Sequence, residues 1–241
     1  MTTSPQAVDL HTPSQQRLVI FGILLALAAP LITAFLDGYF KVWFDYTGKV
    51  FAGVISFWAI AAAVMVIIRY TEVESWRDVW RRLGFRRITL RTSLIVLILS
   101  FVTLFVVNLF FVLLSTYVFD MDISFTRERL RVLPIPLVFL LYLTGIFVEE
   151  ILYRGYALQR IYNLTGNWTV AGLICGALFV GFHIPAYPPA HILGVIIPAT
   201  LAITYLYIRL RNTSYTVMMH GVMNIVIVIA YVVLPLLPQT P

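Results

Sequence analysis

The sequence predicts an all-α membrane protein, a bundle of about seven transmembrane helices with a short interfacial helix between the second and third spans. Of its 241 residues, 61% are hydrophobic and 12% are charged, which is about half the charged fraction of a soluble globular domain. The mean hydropathy is +0.92. Uncharged runs recur at roughly the 20-residue length that a helix needs to cross the hydrocarbon core. A multi-pass protein follows, with the lipid bilayer as a permanent partner.

The first sixteen residues are rich in Ser, Thr, Gln and Pro and predict a disordered tail, residues 1–16. The remainder, 17–241, is expected to form a single transmembrane domain, because no polar stretch is long enough to bury a second core. The seven predicted spans are residues 18–36, 50–68, 92–119, 134–160, 168–183, 192–208 and 217–234.

The loop between the second and third spans is basic and sets the expected orientation. It holds seven arginines between Arg69 and Arg91, and arginine-rich short loops are cytoplasmic by the positive-inside rule. The protein is therefore expected in the cell membrane, with its N-terminus on the cytoplasmic side. Within the loop, Ser75 as N-cap and Gly84 as terminator bound a short amphipathic segment, which predicts a helix in the membrane interface. The net charge of +6 fits contacts with anionic headgroups, and no nucleic-acid partner is expected.

Three polar motifs interrupt the later apolar runs. Ionisable side chains are costly at that depth, so such a cluster is a functional-site hypothesis by default. The motif residues are Glu149, Glu150 and Arg154 in the fourth span, Phe179 and His183 in the fifth, and His220 and Asn224 in the seventh.

Spacing predicts how these side chains meet. The fourth and fifth spans form a hairpin that turns at residues 163–167, and residue 166 is the midpoint of Glu149 and His183. Both side chains then lie level, about 25 Å from the turn, if the helices are regular. Glu150 and Arg154 are four residues apart, the spacing of a helical ion pair, and we expect them to hold the site together. Glu149, about 100° around the helix, is left for catalysis.

The chemistry of these groups leaves two interpretations open. A carboxylate beside an imidazole can take a proton from water and return it to a leaving amine, while a second imidazole and a carboxamide can stabilise an oxyanion. Alternatively, Glu149, His183 and His220 could bind one zinc ion that activates the water. No His-Glu-x-x-His motif is present, and the single cysteine, Cys175, lies in an apolar run, so covalent catalysis by a thiol is not expected.

Together, the three motifs resemble those of the CPBP family of intramembrane proteases, which includes type II CAAX prenyl endopeptidases and bacterial bacteriocin-processing and Abi-like immunity members. The family pattern is Glu-Glu-x-x-x-Arg, Phe-x-x-x-His and His-x-x-x-Asn on successive helices, and this chain matches it at every position, with Tyr153 and Gly155 also fitting. The motif core spans about residues 132–234.

The resemblance implies an intramembrane endopeptidase, either glutamate-dependent or a metalloenzyme, acting on a membrane-embedded or lipidated peptide or protein. It also implies that Glu149 and His183 activate water while His220 and Asn224 stabilise the oxyanion, in a cavity open to the cytoplasmic side. Some members have an eighth span, whereas this chain has seven predicted spans.

Other functions fit the same residues less well. A proton-coupled transporter could use the carboxylates as a relay, although the chain has no internal repeat of the kind common in transporters. A non-catalytic membrane scaffold or immunity protein would need none of this chemistry. Gly172 and Gly176 are interpreted as a helix-packing motif, and His191 as a solvated loop residue.

Overall fold

The structure, a computed structural model, describes residues 12–121 and 133–229, and within these ranges the chain is helical and contains no strand. The all-α prediction is confirmed. The helices are α1 Pro13–Phe40, α2 Tyr46–Thr71, α3 Trp76–Arg82, α4 Leu90–Tyr117, α5 Ile135–Thr165, α6 Trp168–His183, α7 Pro189–Leu210 and α8 Thr213–Val228.

Seven of these helices correspond to the seven predicted spans. Five of them, α1, α2, α4, α5 and α7, are long and apolar enough to cross a membrane. Helices α6 and α8 have 16 residues each and are also largely apolar. The protein is therefore a multi-pass membrane protein, and about seven spans agree with its helices.

The first helix begins earlier than the sequence predicted. Thr12 caps it, since its hydroxyl accepts from the Gln15 amide and the Gln15 side chain accepts from the Thr12 amide. Pro13 occupies the first turn, where its missing N–H costs nothing. Residues 13–16 of the predicted tail are thus helical. Residues 1–11 of that tail, the connector at 122–132 and the predicted end of the seventh span at 230–234 lie outside the described residues.

The predicted helix between the second and third spans is present as α3. The Ser75 hydroxyl accepts from the Asp78 amide as N-cap, and the chain leaves the helix through Gly84, whose φ of +80° suits glycine. Val79 is fully buried while Trp76 remains 54% exposed. Helix α3 therefore packs one face on the bundle and leaves an aromatic face outside.

Helix α5 lies at the centre of the bundle. It packs against α1, α2, α6 and α8, and its fully buried residues include Tyr153 and Tyr156. Their hydroxyls donate to backbone carbonyls of α1, Tyr153 to Leu27 at 3.4 Å and Tyr156 to Val19 at 3.3 Å. These bonds satisfy phenol groups that would otherwise be unpaired in an apolar interior.

The centre of α5 is not a regular α-helix. The prediction that Glu149 lies about 25 Å from the hairpin turn assumed a regular helix, and that assumption is wrong. Gly145–Leu158 is π-helical, so its bonds run from residue i to i+5 and each turn is wider. π-Helical turns are rare, and they occur frequently at functional sites. The first motif lies wholly within this segment.

The hairpin of α5 and α6 forms as predicted. Gly166 ends α5 with φ +66°, and the Asn167 side chain caps α6 by accepting from the amides of Thr169 and Val170. The predicted glycine packing motif is also confirmed, because a Cβ on Gly172 would lie 3.3 Å from the Thr204 methyl of α7.

Candidate active site

The first and third motifs meet in a buried ionic network. One carboxylate oxygen of Glu150, Oε1, accepts from Arg154 Nη1 at 2.9 Å and from His220 Nδ1 at 3.0 Å. The side chains of Glu150 and Arg154 are 0% and 3% exposed. The predicted ion pair is therefore present, and it also joins α5 to α8 through His220. The bond between His220 and Glu150 was not predicted, because the two residues are 70 positions apart and no helical spacing relates them.

Glu149 lies beside this network but is not a partner of Arg154. Its Oε2 faces the second ring nitrogen of His220, Nε2, at 4.0 Å. Its side chain is 19% exposed, against 0% for Glu150. A polar separation of this length is suited to a bridging water. Of the two glutamates, Glu149 is thus the one open to a small molecule.

His183 is held on α6 by its own helix. Its Nδ1 lies 2.7 Å from the Phe179 carbonyl, and because a carbonyl can only accept, Nδ1 carries the proton. In a neutral ring Nε2 then has a free lone pair. The Phe179 ring lies 4.4 Å from the His183 ring, so the second motif positions its histidine by a hydrogen bond and a ring contact.

Phe179 links the second motif to the first. Its ring contacts Tyr153 at 5.0 Å and lies under the Arg154 guanidinium at 5.0 Å. The helix that carries His183 therefore packs beside the first motif, and no hydrogen bond joins His183 to Glu149 or His220 within the described residues.

Asn224 lies one turn beyond His220 on α8 and is partly exposed. Its carboxamide has no hydrogen-bond partner among residues 12–121 and 133–229, so it is free to bind a ligand. The proposed zinc ligands do not gather in the same way: in the described part of the chain, no three His, Cys, Asp or Glu side chains lie close enough to hold a metal ion. The donor types suit zinc, but the arrangement of these described side chains does not.

The interpretation of His191 as a solvated loop residue is wrong. It lies in the first turn of α7. Its ring stacks on Tyr187, with the ring centroids 4.6 Å apart, and contacts Phe111 edge-on at 5.4 Å. Tyr187 in turn lies 5.8 Å from the His183 ring. An aromatic stack therefore continues from His183 into α7. The four-residue spacing of His183, Tyr187 and His191 was the available signal.

These features define a class: a polytopic helical membrane protein whose described helices bring Glu149, Glu150, Arg154 and His220 together inside the bundle, with His183 on the neighbouring helix. Residues 131–226, which contain all three motifs, match the family described as type II CAAX prenyl endopeptidase, Rce1-like. This match confirms the resemblance inferred from the motifs and supports a CAAX-protease type of function in the membrane. No curated protein and no solved structure matches the chain.

Proposed function

We propose that the protein is an intramembrane endopeptidase in which Glu149 activates a water molecule against a peptide bond of a membrane-associated, lipidated substrate. The observation that carries this proposal is the pairing of a partly exposed Glu149 with His220 across 4.0 Å, beside a sealed Glu150–Arg154 pair. The gap accepts a water or a substrate oxygen, while the sealed pair holds the surrounding helices.

Charge balance supports a donor role for His220. Its Nδ1 donates to Glu150, so Nε2 can also donate only if the ring is a cation. With Glu149 and Glu150 ionised and Arg154 and His220 protonated, the four groups sum to zero charge. A neutral sum is favoured in a low-dielectric interior, where an uncompensated charge is costly. His220 and the free carboxamide of Asn224 then supply two donors for an oxyanion.

His183 supplies the complementary function. Its protonated Nδ1 is bonded to Phe179, so its Nε2 can accept a hydrogen bond from the attacking water. Glu149 removes the proton from that water as its oxygen bonds to the carbonyl carbon. When the carbon–nitrogen bond breaks, the same carboxyl returns the proton to the leaving amine. Water adds across the peptide bond, and no covalent enzyme intermediate is required.

The family description points to a substrate with a prenylated C-terminal cysteine, followed by the residues to be removed. We propose a substrate of this type, held in the membrane by its lipid, with cleavage at the cytoplasmic face of the cell membrane. The arginine-rich loop supports that orientation.

The test uses the full chain in nanodiscs and a farnesylated peptide that ends in three residues after the modified cysteine. Wild type is expected to release the tripeptide, and Glu149→Gln to lose at least about 100-fold in rate, the typical contribution of a positioned general base. Arg77→Gln, an exposed change on α3, is the folding-matched control. Equal cleavage by Glu149→Gln and wild type would remove Glu149 from the mechanism. Proton flux without any proteolysis would favour the transporter instead, and elemental analysis with a chelator test would decide the metal question.

A further inference from the structure

Five arginines lie on the segments that meet where the α3–α4 loop, residues 83–89, and the first turn of α4 approach the end of α7 and the start of α8. They are Arg86, Arg87, Arg91, Arg209 and Arg211, and are called the arginine cluster below.

Hydrogen bonds hold the two segments of the cluster against each other. The Arg86 amide donates to the Asn212 carboxamide oxygen at 3.4 Å, and the Asn212 side-chain NH₂ donates to the Arg87 carbonyl at 3.3 Å. The Ser214 hydroxyl donates to the Arg86 carbonyl at 3.2 Å. Since Asn212 directly follows Arg211, these bonds place Arg86 and Arg87 beside the end of α7.

No carboxylate in the described ranges pairs with this cluster. Two of the acidic groups on the neighbouring elements are engaged elsewhere: Asp78 with Arg81 at 2.9 Å, and Glu72 with Arg160 at 2.7 Å. Four members of the cluster are exposed, and Arg211 is half-buried. The surface therefore presents several positive charges without a carboxylate partner among the residues that the structure describes.

Arg211 is the anchored member. Its guanidinium lies over the Trp168 ring at 3.0 Å from the centroid, and Trp168 stacks on Tyr162 at 3.7 Å. Its Nη1 is buried and lacks a hydrogen-bond partner among the described residues. Burial lowers the pKa of Arg211 to about 10, with a smaller contribution from Arg86, so the side chain is still a cation at neutral pH. A buried donor without a partner is destabilising, and an anion would satisfy it.

We propose that the arginine cluster binds the phosphate of an anionic phospholipid headgroup. Its position supports a lipid as occupant, because candidate span α4 begins at Leu90 and candidate span α7 ends at Leu210, both next to cluster residues. Trp168 and Tyr162 are side chains typical of the headgroup layer, and guanidinium groups match phosphate oxygens in paired hydrogen bonds. The bound headgroup would tie the loop to the start of α8, the helix that carries His220 and Asn224.

Lipid titration of the full chain tests the proposal. Phosphatidylglycerol and phosphatidylcholine are titrated onto the delipidated protein in a neutral detergent, and bound lipid is measured by native mass spectrometry. Wild type is expected to bind phosphatidylglycerol more tightly than phosphatidylcholine. Arg86→Gln with Arg209→Gln should bind it about thirtyfold more weakly, because each basic residue near the surface contributes about 1 kcal/mol. Both side chains are exposed, so the variant should unfold at the wild-type temperature in detergent alone.

Arg77→Gln with Arg81→Gln is the matched control, since it removes the same charge from exposed positions on α3. Its affinity for phosphatidylglycerol should stay close to wild type. An equal loss in both double variants would overturn the proposal in favour of general surface charge, and so would equal affinity for the two lipids. Displacement of the lipid by inorganic phosphate at the same concentration would overturn the lipid assignment and indicate a free-anion site.

Discussion

Removing one partner of the buried Glu150–Arg154 pair should destabilise the protein strongly. Arg154→Gln leaves Glu150 without its closest cation at a position that is 0% exposed, and breaking a buried ion pair in this way costs about 3–5 kcal/mol. The free energy of unfolding, measured by denaturant titration in mixed micelles, should fall by that amount. In the double variant Glu150→Gln with Arg154→Gln both charges are gone, so most of the loss should be recovered.

The exposed pair of Arg81 and Asp78 provides the control for that comparison. Its side chains are 60% and 41% exposed, so Arg81→Gln should lower the free energy of unfolding only slightly. A cost of the same size for Arg154→Gln would mean that water reaches the Glu150 carboxylate, and the sealed network described above would be refuted.

Two further predictions concern packing and catalysis. A Cβ on Gly155 would lie 2.8 Å from a backbone oxygen of the α3–α4 loop, whereas one on Gly181 meets nothing within 4 Å. Gly155→Ala should therefore lower the free energy of unfolding by about 1–3 kcal/mol, while Gly181→Ala should be neutral or stabilising. Equal stability of both variants would refute the close contact. Asn224→Ala should lower kcat about 100- to 1,000-fold with KM little changed, as expected for the loss of an oxyanion donor; steady-state cleavage of the farnesylated peptide measures it, and an unchanged kcat would exclude that role.

Local patterns in the sequence predicted most of the helices. Uncharged runs place the spans because the bilayer fixes their length, and the Ser75 cap, the hairpin turn and the Glu150–Arg154 spacing each depend on neighbouring residues. The start of α1 was displaced because the cap formed by Thr12 and Gln15 extends the helix beyond the apolar run.

Long-range and irregular features could not be predicted. The bond between His220 and Glu150 joins residues on separate helices, and its existence depends on how α8 packs against α5. The π-helical segment Gly145–Leu158 has no composition that separates it from an α-helix. His191 was misinterpreted because the prolines before it suggested a loop, whereas Pro189 occupies the first turn of a helix.

The central claim is that Glu149 and His220 act on the same reacting atoms, and a double-mutant cycle on cleavage tests it most directly. Single-turnover rates are measured for wild type, Glu149→Gln, His220→Gln and the double variant with the farnesylated peptide. Residues that act as a unit give non-additive losses, so the double variant should be no slower than the slower single variant. Losses that multiply would show that the two side chains act independently, and the shared site would be contradicted.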